Sequence, residues 1–374
     1  MPLAWLVLKS STAPHTKQRL FVNKDGFFQK HANQSSDTKS DAPSPLVFVP
    51  AHACLMTETE ASAVNKDSVL AMVFFGSGRG GMSDFPHVTI NADQLQSEKL
   101  VEVWTSPGPV RRLTHNDIQI TANSDVLFGC VQRKLPPVGE PLETLVEQTY
   151  ETLLKLGDEL GYPNIIRIWN YIPGIGKNID GLECYRRFCR ARHNALERLL
   201  GEFVESLPAT TAVGVSGDEL TIMFMAAKNA GEQRENPRQV SAYHYPRLYG
   251  PRSPSFARAT LLPWWGTGAL FVSGTSSIVG HESRHLGDAE KQLQEAVENI
   301  KTLVFRSITE DHLDFDGFSS LSLVRVYLRS PEYYGLAHSY LAPLLDKDTR
   351  ALYLHAEICR NELLVELEGA LLPE

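Results

Sequence analysis

Arg350-Ala-Leu-Tyr-Leu-His-Ala-Glu-Ile-Cys-Arg-Asn-Glu-Leu-Leu-Val-Glu-Leu-Glu-Gly369 is the stretch from which the rest of the chain is read. Residues 350–358 are rich in β-formers, Arg360, Asn361 and Glu362 make a polar turn, and 363–368 resumes as a strand, so the pattern predicts a β-hairpin. Side chains alternate along a strand, which puts Val365 and Leu367 on one side and Glu366 and Glu368 on the other. Two carboxylates on so apolar a strand admit two readings. Either that face is wet, or one of them lines a pocket where desolvation raises its pKa and suits it to general acid work.

An internal comparison favours the second. From Asp117 onward the chain repeats itself. The first copy predicts a strand at 125–130, a helix over 143–156, a strand at 165–173, a helix over 182–204 and a hairpin over 211–225. The second predicts a strand at 268–273, a helix over 288–304 with Asp288 as N-cap, a strand at 323–331, a helical segment around 336–345, and the hairpin quoted above. Leu127-Phe128 and Leu270-Phe271 are 143 residues apart, as are Glu219-Leu220 and Glu362-Leu363. This register sets Met223 against Glu366 and Met225 against Glu368. The first copy does without carboxylates there, so the fold does not demand them.

The expected fold is α+β: two tandem βαβαββ domains, each a mixed sheet with two helices on one face. The domains span 111–229 and 260–374, joined by a proline- and arginine-rich linker at 230–259. Residues 1–110 form a β-leaning extension, with strand candidates at 20–22, 46–49, 69–75, 87–90 and 100–104 and a polar surface loop at 33–44.

The chain has 374 residues, 43% of them hydrophobic, and a formal net charge of −8. With a pI near 5.9, neither a nucleic-acid nor a membrane partner is expected, and an anionic substrate would need locally placed arginines. The five scattered cysteines, without CxxC, indicate a reducing compartment. No signal peptide and no membrane-spanning run is evident, so a cytoplasmic protein is expected.

Several motifs compete for attention. Residues 76–81 match GxGxxG after an apolar strand, but Pro86 and a strand follow where a dinucleotide site needs a helix, so a glycine-rich turn is expected. His281-Glu-Ser-Arg-His285 matches the zinc-protease HExxH, whose chemistry requires a helix; here it falls in a loop between glycines, and no metal site is expected. On the 182–204 helix, Arg192 falls inside the apolar face and Arg186 at its edge. Each is either in a structural ion pair or a fork for a substrate carboxylate. Cys359 with His355 suggests a thiol hydrolase, but no third residue is marked, and a pocket-lining cysteine fits better. The aromatic and arginine-dense segment 243–258, containing Tyr245, Tyr249 and Arg258, is either a ligand-binding element or a rigid spacer.

Each half resembles the RidA (YjgF) fold, the second more closely, through Phe271-Val-Ser-Gly274, residues 292–299 and Val365-Glu-Leu-Glu368. From about residue 100 onward the chain resembles the chorismatases, through Trp169-Asn-Tyr-Ile-Pro-Gly174, residues 181–188, 249–258, 273–283 and 359–369. The resemblance implies cleavage of chorismate with release of pyruvate, without a cofactor. Glu366 would protonate the enolpyruvyl methylene, and Cys359 marks the branch that forms 3-hydroxybenzoate, a subset of which also forms 4-hydroxybenzoate. By motif position, Arg186, Arg192, Arg258 and Arg350 would hold the substrate carboxylates, with Tyr245, Tyr249, Thr275 and Ser276 also at the site. Ser276 is neither the alanine nor the glycine that separates branches. RidA-like assemblies are trimers, so the tandem repeat predicts a monomer. A hydrolase giving a dihydroxycyclohexadiene acid, a RidA-type imine hydrolase and a non-catalytic carboxylate-binding module are the alternatives.

Overall fold

The structure is a computed structural model that describes residues 51–76, 87–136, 141–263 and 268–373. The strands expected at 20–22 and 46–49, the polar loop at 33–44 and the glycine-rich turn beyond Gly76 lie outside these residues.

The described chain opens with β1 (His52–Thr57), a short helix α1 (Glu58–Ser62), β2 (Val69–Phe75), β3 (His87–Ile90) and β4 (Leu100–Thr105). They form one sheet in the order β1-β4-β2-β3. The first lobe contains β5 (Arg111–His115), β6 (Ile118–Ala122), β7 (Val126–Lys134), α2 (Leu142–Glu159), β8 (Asn164–Pro173), the small ribbon β9 (Asn178–Ile179) and β10 (Leu182–Glu183), α3 (Cys184–Leu200), β11 (Ala209–Val215) and β12 (Glu219–Ala227). The second contains β13 (Glu232–Arg234), β14 (Ala259–Leu262), β15 (Ala269–Ser276), the ribbon β16 (Ile278–Val279) and β17 (Glu282–Ser283), α4 (Ala289–Asp311), β18 (Leu323–Leu328), α5 (Tyr334–Leu341), β19 (Ala351–His355) and β20 (Val365–Leu371).

The doubling is visible in the sheets. Lobe one orders its strands β5-β6-β7-β12-β8-β11 and lobe two β13-β14-β15-β20-β18-β19, the same six-strand path. The expected elements are present, and Asp288 caps α4 by accepting from the Lys291 amide at 3.0 Å. Two expectations are corrected. Neither predicted hairpin exists, because β11 pairs in parallel with β8, and β12 lies antiparallel on the other side of β8. Likewise β19 is parallel to β18, and β20 runs antiparallel between β18 and β15. Period-two patterning reveals a strand but not its neighbour, and the connection from His355 to Val365 is too long to enforce a hairpin. The linker is not only a linker either: β13 and β14 complete the second sheet.

The sheets enclose one core. Trp104 of β4 lies 6.0 to 6.1 Å from Phe128, Trp169 and Phe271, rings contributed by both lobes. Edge and offset packing at this spacing is favourable for aromatic pairs. On its outer face each lobe buries a second core beneath its helices, α2 and α3 in lobe one and α4 and α5 in lobe two.

The register also confirms the internal equivalence on the β8 and β18 side. Arg167 pairs with Met225 and Trp169 with Met223, just as Arg325 pairs with Glu368 and Tyr327 with Glu366. On the other side, β15 has an irregularity between Val272 and Thr275 that shifts the pairing of β20. Such a bulge re-aims side chains, and it lies beside Glu366.

Candidate active site

Glu366 and Glu368 share one face of β20, and both are buried, at 4% and 3% exposure. The wet-face reading is therefore excluded. Their surroundings differ. Glu368 accepts from Arg325 Nη1 at 2.6 Å, from the Tyr327 hydroxyl at 2.8 Å, and from Arg167 and Thr211 of lobe one. Burial pushes its carboxyl up, but Arg325 and Arg167 overcome that and hold it below the ordinary range. Arg325 also bonds Glu102 of β4 (Nε–Oε2, 2.6 Å), so this buried network ties both lobes to the first sheet.

Glu366 accepts from the Ser276 hydroxyl at 2.9 Å. Burial pushes its carboxyl up to about 8, against the Ser276 hydrogen bond and with help from the charge on Glu368. At neutral pH Glu366 is mostly a neutral acid able to donate a proton, as carbon protonation requires.

The acid opens into a cavity of about 210 Å³ whose lining includes Ser276, Arg258, Tyr245, Tyr249, Arg186 and Cys359. Cys359 is half-buried, and burial, reinforced by Glu366, pushes its thiol far above the ordinary value. It is a thiol, not a thiolate, and the exposed His355 does not line the cavity, which removes the thiol-hydrolase reading. Arg258 donates to the Tyr245 hydroxyl at 2.7 Å, and Arg186 Nε donates to Glu183 at 3.2 Å.

Arg360, passed over in the sequence as a turn residue, is a further cation in this lining. Its guanidinium lies 3.9 Å from the centre of the Tyr249 ring and donates to the His281 carbonyl and the Ser283 hydroxyl, each at 3.0 Å. The loop that carries Cys359 and Arg360 is fixed by Arg329, whose Nη2 donates to the carbonyls of Ile358 and Arg360 at 3.0 and 2.9 Å. Gln292 of α4 clamps the start of β20, donating to the Glu362 carbonyl and accepting from the Leu364 amide.

Three nominated residues are not in the cavity. Arg350 pairs with Glu60 of α1, donating to its Oε1 at 3.1 Å on the opposite flank of β19. Arg192 is buried with its guanidinium 5.5 Å from the Phe188 ring. It lies six residues, about 9 Å, further along α3 than Arg186, and among the described residues it makes no ion pair. Thr275 falls on the face opposite Gly274 and Ser276, and its hydroxyl donates to the Ser273 carbonyl. The HExxH residues occupy the β16–β17 ribbon and the turn after it; the two histidines do not share a helix face, and His285 instead meets Glu295 at 3.2 Å. A larger groove of about 490 Å³ lies between α2 and α3, but none of the nominated residues lines it.

A neutral carboxylic acid, a protonated thiol and arginines surround one small cavity at the seam of a doubled α+β scaffold, the arrangement that general-acid chemistry on a small anion would require. Residues 102–226 match the family model described as "Chorismatase FkbO/Hyg5-like, N-terminal". The chain is 36% identical over 300 residues to the 3-hydroxybenzoate synthase of Streptomyces hygroscopicus, covering 77% of this chain and 86% of that one. It is 34% identical over 332 residues to the chorismatase of Streptomyces rapamycinicus, covering 86% and 98% respectively. A crystal structure of chorismatase at 1.08 Å resolution matches with a TM-score of 0.79 and 30% identity, over 87% of this chain and 100% of that one. The chain belongs to the chorismatase family. Among the described residues no helix is long and apolar enough to cross a membrane.

Proposed function

We propose that this enzyme converts chorismate to pyruvate and 3-hydroxybenzoate, with Glu366 as the proton donor. The observation that carries the proposal is the buried, protonated Glu366 facing a cavity shared with Cys359 and arginines. Glu366 gives its proton to the enolpyruvyl methylene, which becomes the pyruvate methyl group, and the ether carbon acquires oxocarbenium character. The ring carbon–oxygen bond then breaks, its electron pair staying on the oxygen that becomes the keto group of pyruvate. The neighbouring ring hydroxyl oxygen bonds to the vacated carbon, its bond to the carbon it came from breaks with the electron pair going to that oxygen, and the proton on the newly oxygenated carbon is lost as the ring aromatises. One proton is gained and one lost, so no water is consumed. Arg258, Arg186 and Arg360 supply the positive charge that a dianion needs in an acidic protein.

Cys359 supports the aromatic product over the dihydroxycyclohexadiene acid, and Ser276 beside Glu366 leaves 4-hydroxybenzoate as a second product to be measured. One chain closes its own core with three sheets, which supports a monomer. Incubation with chorismate, with pyruvate and aromatic acids separated by chromatography, tests the proposal. Equal amounts of pyruvate and hydroxybenzoate are expected; no consumption of chorismate, with turnover of 2-aminoacrylate instead, would establish an imine hydrolase.

A further inference from the structure

We propose that Glu368 is a positioning residue for this reaction: with Thr211 and Arg167 of the first lobe, it keeps the proton on Glu366 and fixes the backbone beneath the acid. The inference rests on Glu366 being the proton donor.

Two carboxyl groups on one strand face cannot both ionise cheaply, and the one with more cationic donors takes the charge. Two guanidinium groups and two hydroxyls meet Glu368, whereas Glu366 has the Ser276 hydroxyl. The other ionisable groups around Glu366 are Arg258 from the segment before β14, Cys359 from the loop before β20, Tyr327, its register partner on β18, and Arg167 on β8. Arg167 is engaged by Glu368, which limits its pull on Glu366.

Thr211 makes the link to the backbone. It donates to Glu368 and accepts from the Gly274 amide at 2.9 Å, and Gly274 is the residue against which the Glu366 carboxyl packs. Arg167 shows how the two lobes divide the work. Its register partner is Met225, where lobe two has the Arg325–Glu368 pair, so it reaches across to the Glu368 of the other lobe. The lobe without an acid thus adds Arg167 and Thr211 to the residues that hold the working one.

The test is the pH dependence of kcat and KM in the full chain for Glu368→Gln, Thr211→Val and Thr211→Ser, alongside carboxyl-¹³C NMR titration without substrate. Glu368→Gln is expected to move the alkaline limb of kcat/KM, and the midpoint of the carboxyl resonance absent from Glu366→Gln, down by about one pH unit or more. Thr211→Val is expected to lower kcat about tenfold at every pH with KM unchanged, and Thr211→Ser to restore it. An unmoved limb and midpoint in Glu368→Gln, or wild-type kcat in Thr211→Val, overturns the proposal; the threonine variants decide it if Glu368→Gln does not fold. If the wild type ignores chorismate while the titration still shifts, the assigned reaction fails and the proton partition stands.

Discussion

Gly274 lies directly against the Glu366 carboxyl: a Cβ there would clash with Oε1 and stand 3.0 Å from Cδ, with Thr211 Cγ2 only 3.1 Å away. Glycine is needed here for close approach, since its backbone is not in the left-handed region. Gly274→Ala must therefore displace the acid. Misplacement by about 1 Å costs roughly a hundredfold in rate, so kcat should fall by about that factor while circular dichroism shows an unchanged fold. An alanine variant with wild-type kcat would mean that the carboxyl does not need this seat.

Burying Glu366 in its neutral form should lower stability. Its carboxyl titrates at about 8 in the folded chain against an ordinary 4.5. Between these values the unfolded state releases a proton that the folded state retains, so stability falls as pH rises through this window and levels off above the folded pKa. Glu366→Gln abolishes the difference. It should be more stable than wild type by about 3 kcal/mol at neutral pH, with the gain vanishing near about pH 4. Urea titrations at several pH values would reveal the trend, and a pH-independent difference would contradict it.

The sequence made the doubling legible because residue spacing, helix periodicity and the Asp288 cap are local signals. Glu366 was legible because the internal repeat provided its own control, methionine at Met223. Strand neighbours were not. Whether β12 pairs with β11 or slips between β7 and β8 is decided by long-range packing that period-two alternation does not encode. The arginines show the same limit. Arg360 and Arg350 both flank β19, yet one faces the cavity and the other reaches Glu60. Arg192 was correctly placed on a buried face, but its guanidinium lies over Phe188, one turn back on the same helix, and not in the cavity.

That division of arginines is testable. Arg258 is buried in the lining, and its Nη2 donates to the Tyr245 hydroxyl and the Val240 carbonyl. Arg258→Lys loses the planar fork and should raise KM for chorismate by about tenfold to a hundredfold. Arg350→Ala should leave kcat and KM within about twofold of wild type, because exposed ion pairs contribute little. Steady-state kinetics on both variants separates the two sites, and a large rise in KM for Arg350→Ala would restore it to the substrate site.

Cys359 stands in the lining as a protonated thiol, so its expected effect is on the fate of the ring after pyruvate leaves. In Cys359→Ala, kcat/KM for pyruvate release should fall by no more than about tenfold, about 1.4 kcal/mol. The ratio of 3-hydroxybenzoate to other ring products should fall. Chromatography of the product mixture measures both, and loss of pyruvate release itself would assign the thiol to the first chemical step.

The most direct test is to give chorismate to the wild type and to Glu366→Gln and compare initial rates of pyruvate formation, with the reaction also run in D₂O. Pyruvate with one deuterium in its methyl group is expected from the wild type, and a rate at least about a hundredfold lower from the glutamine variant. Pyruvate formed by Glu366→Gln at the wild-type rate would contradict the assignment of Glu366 as the acid.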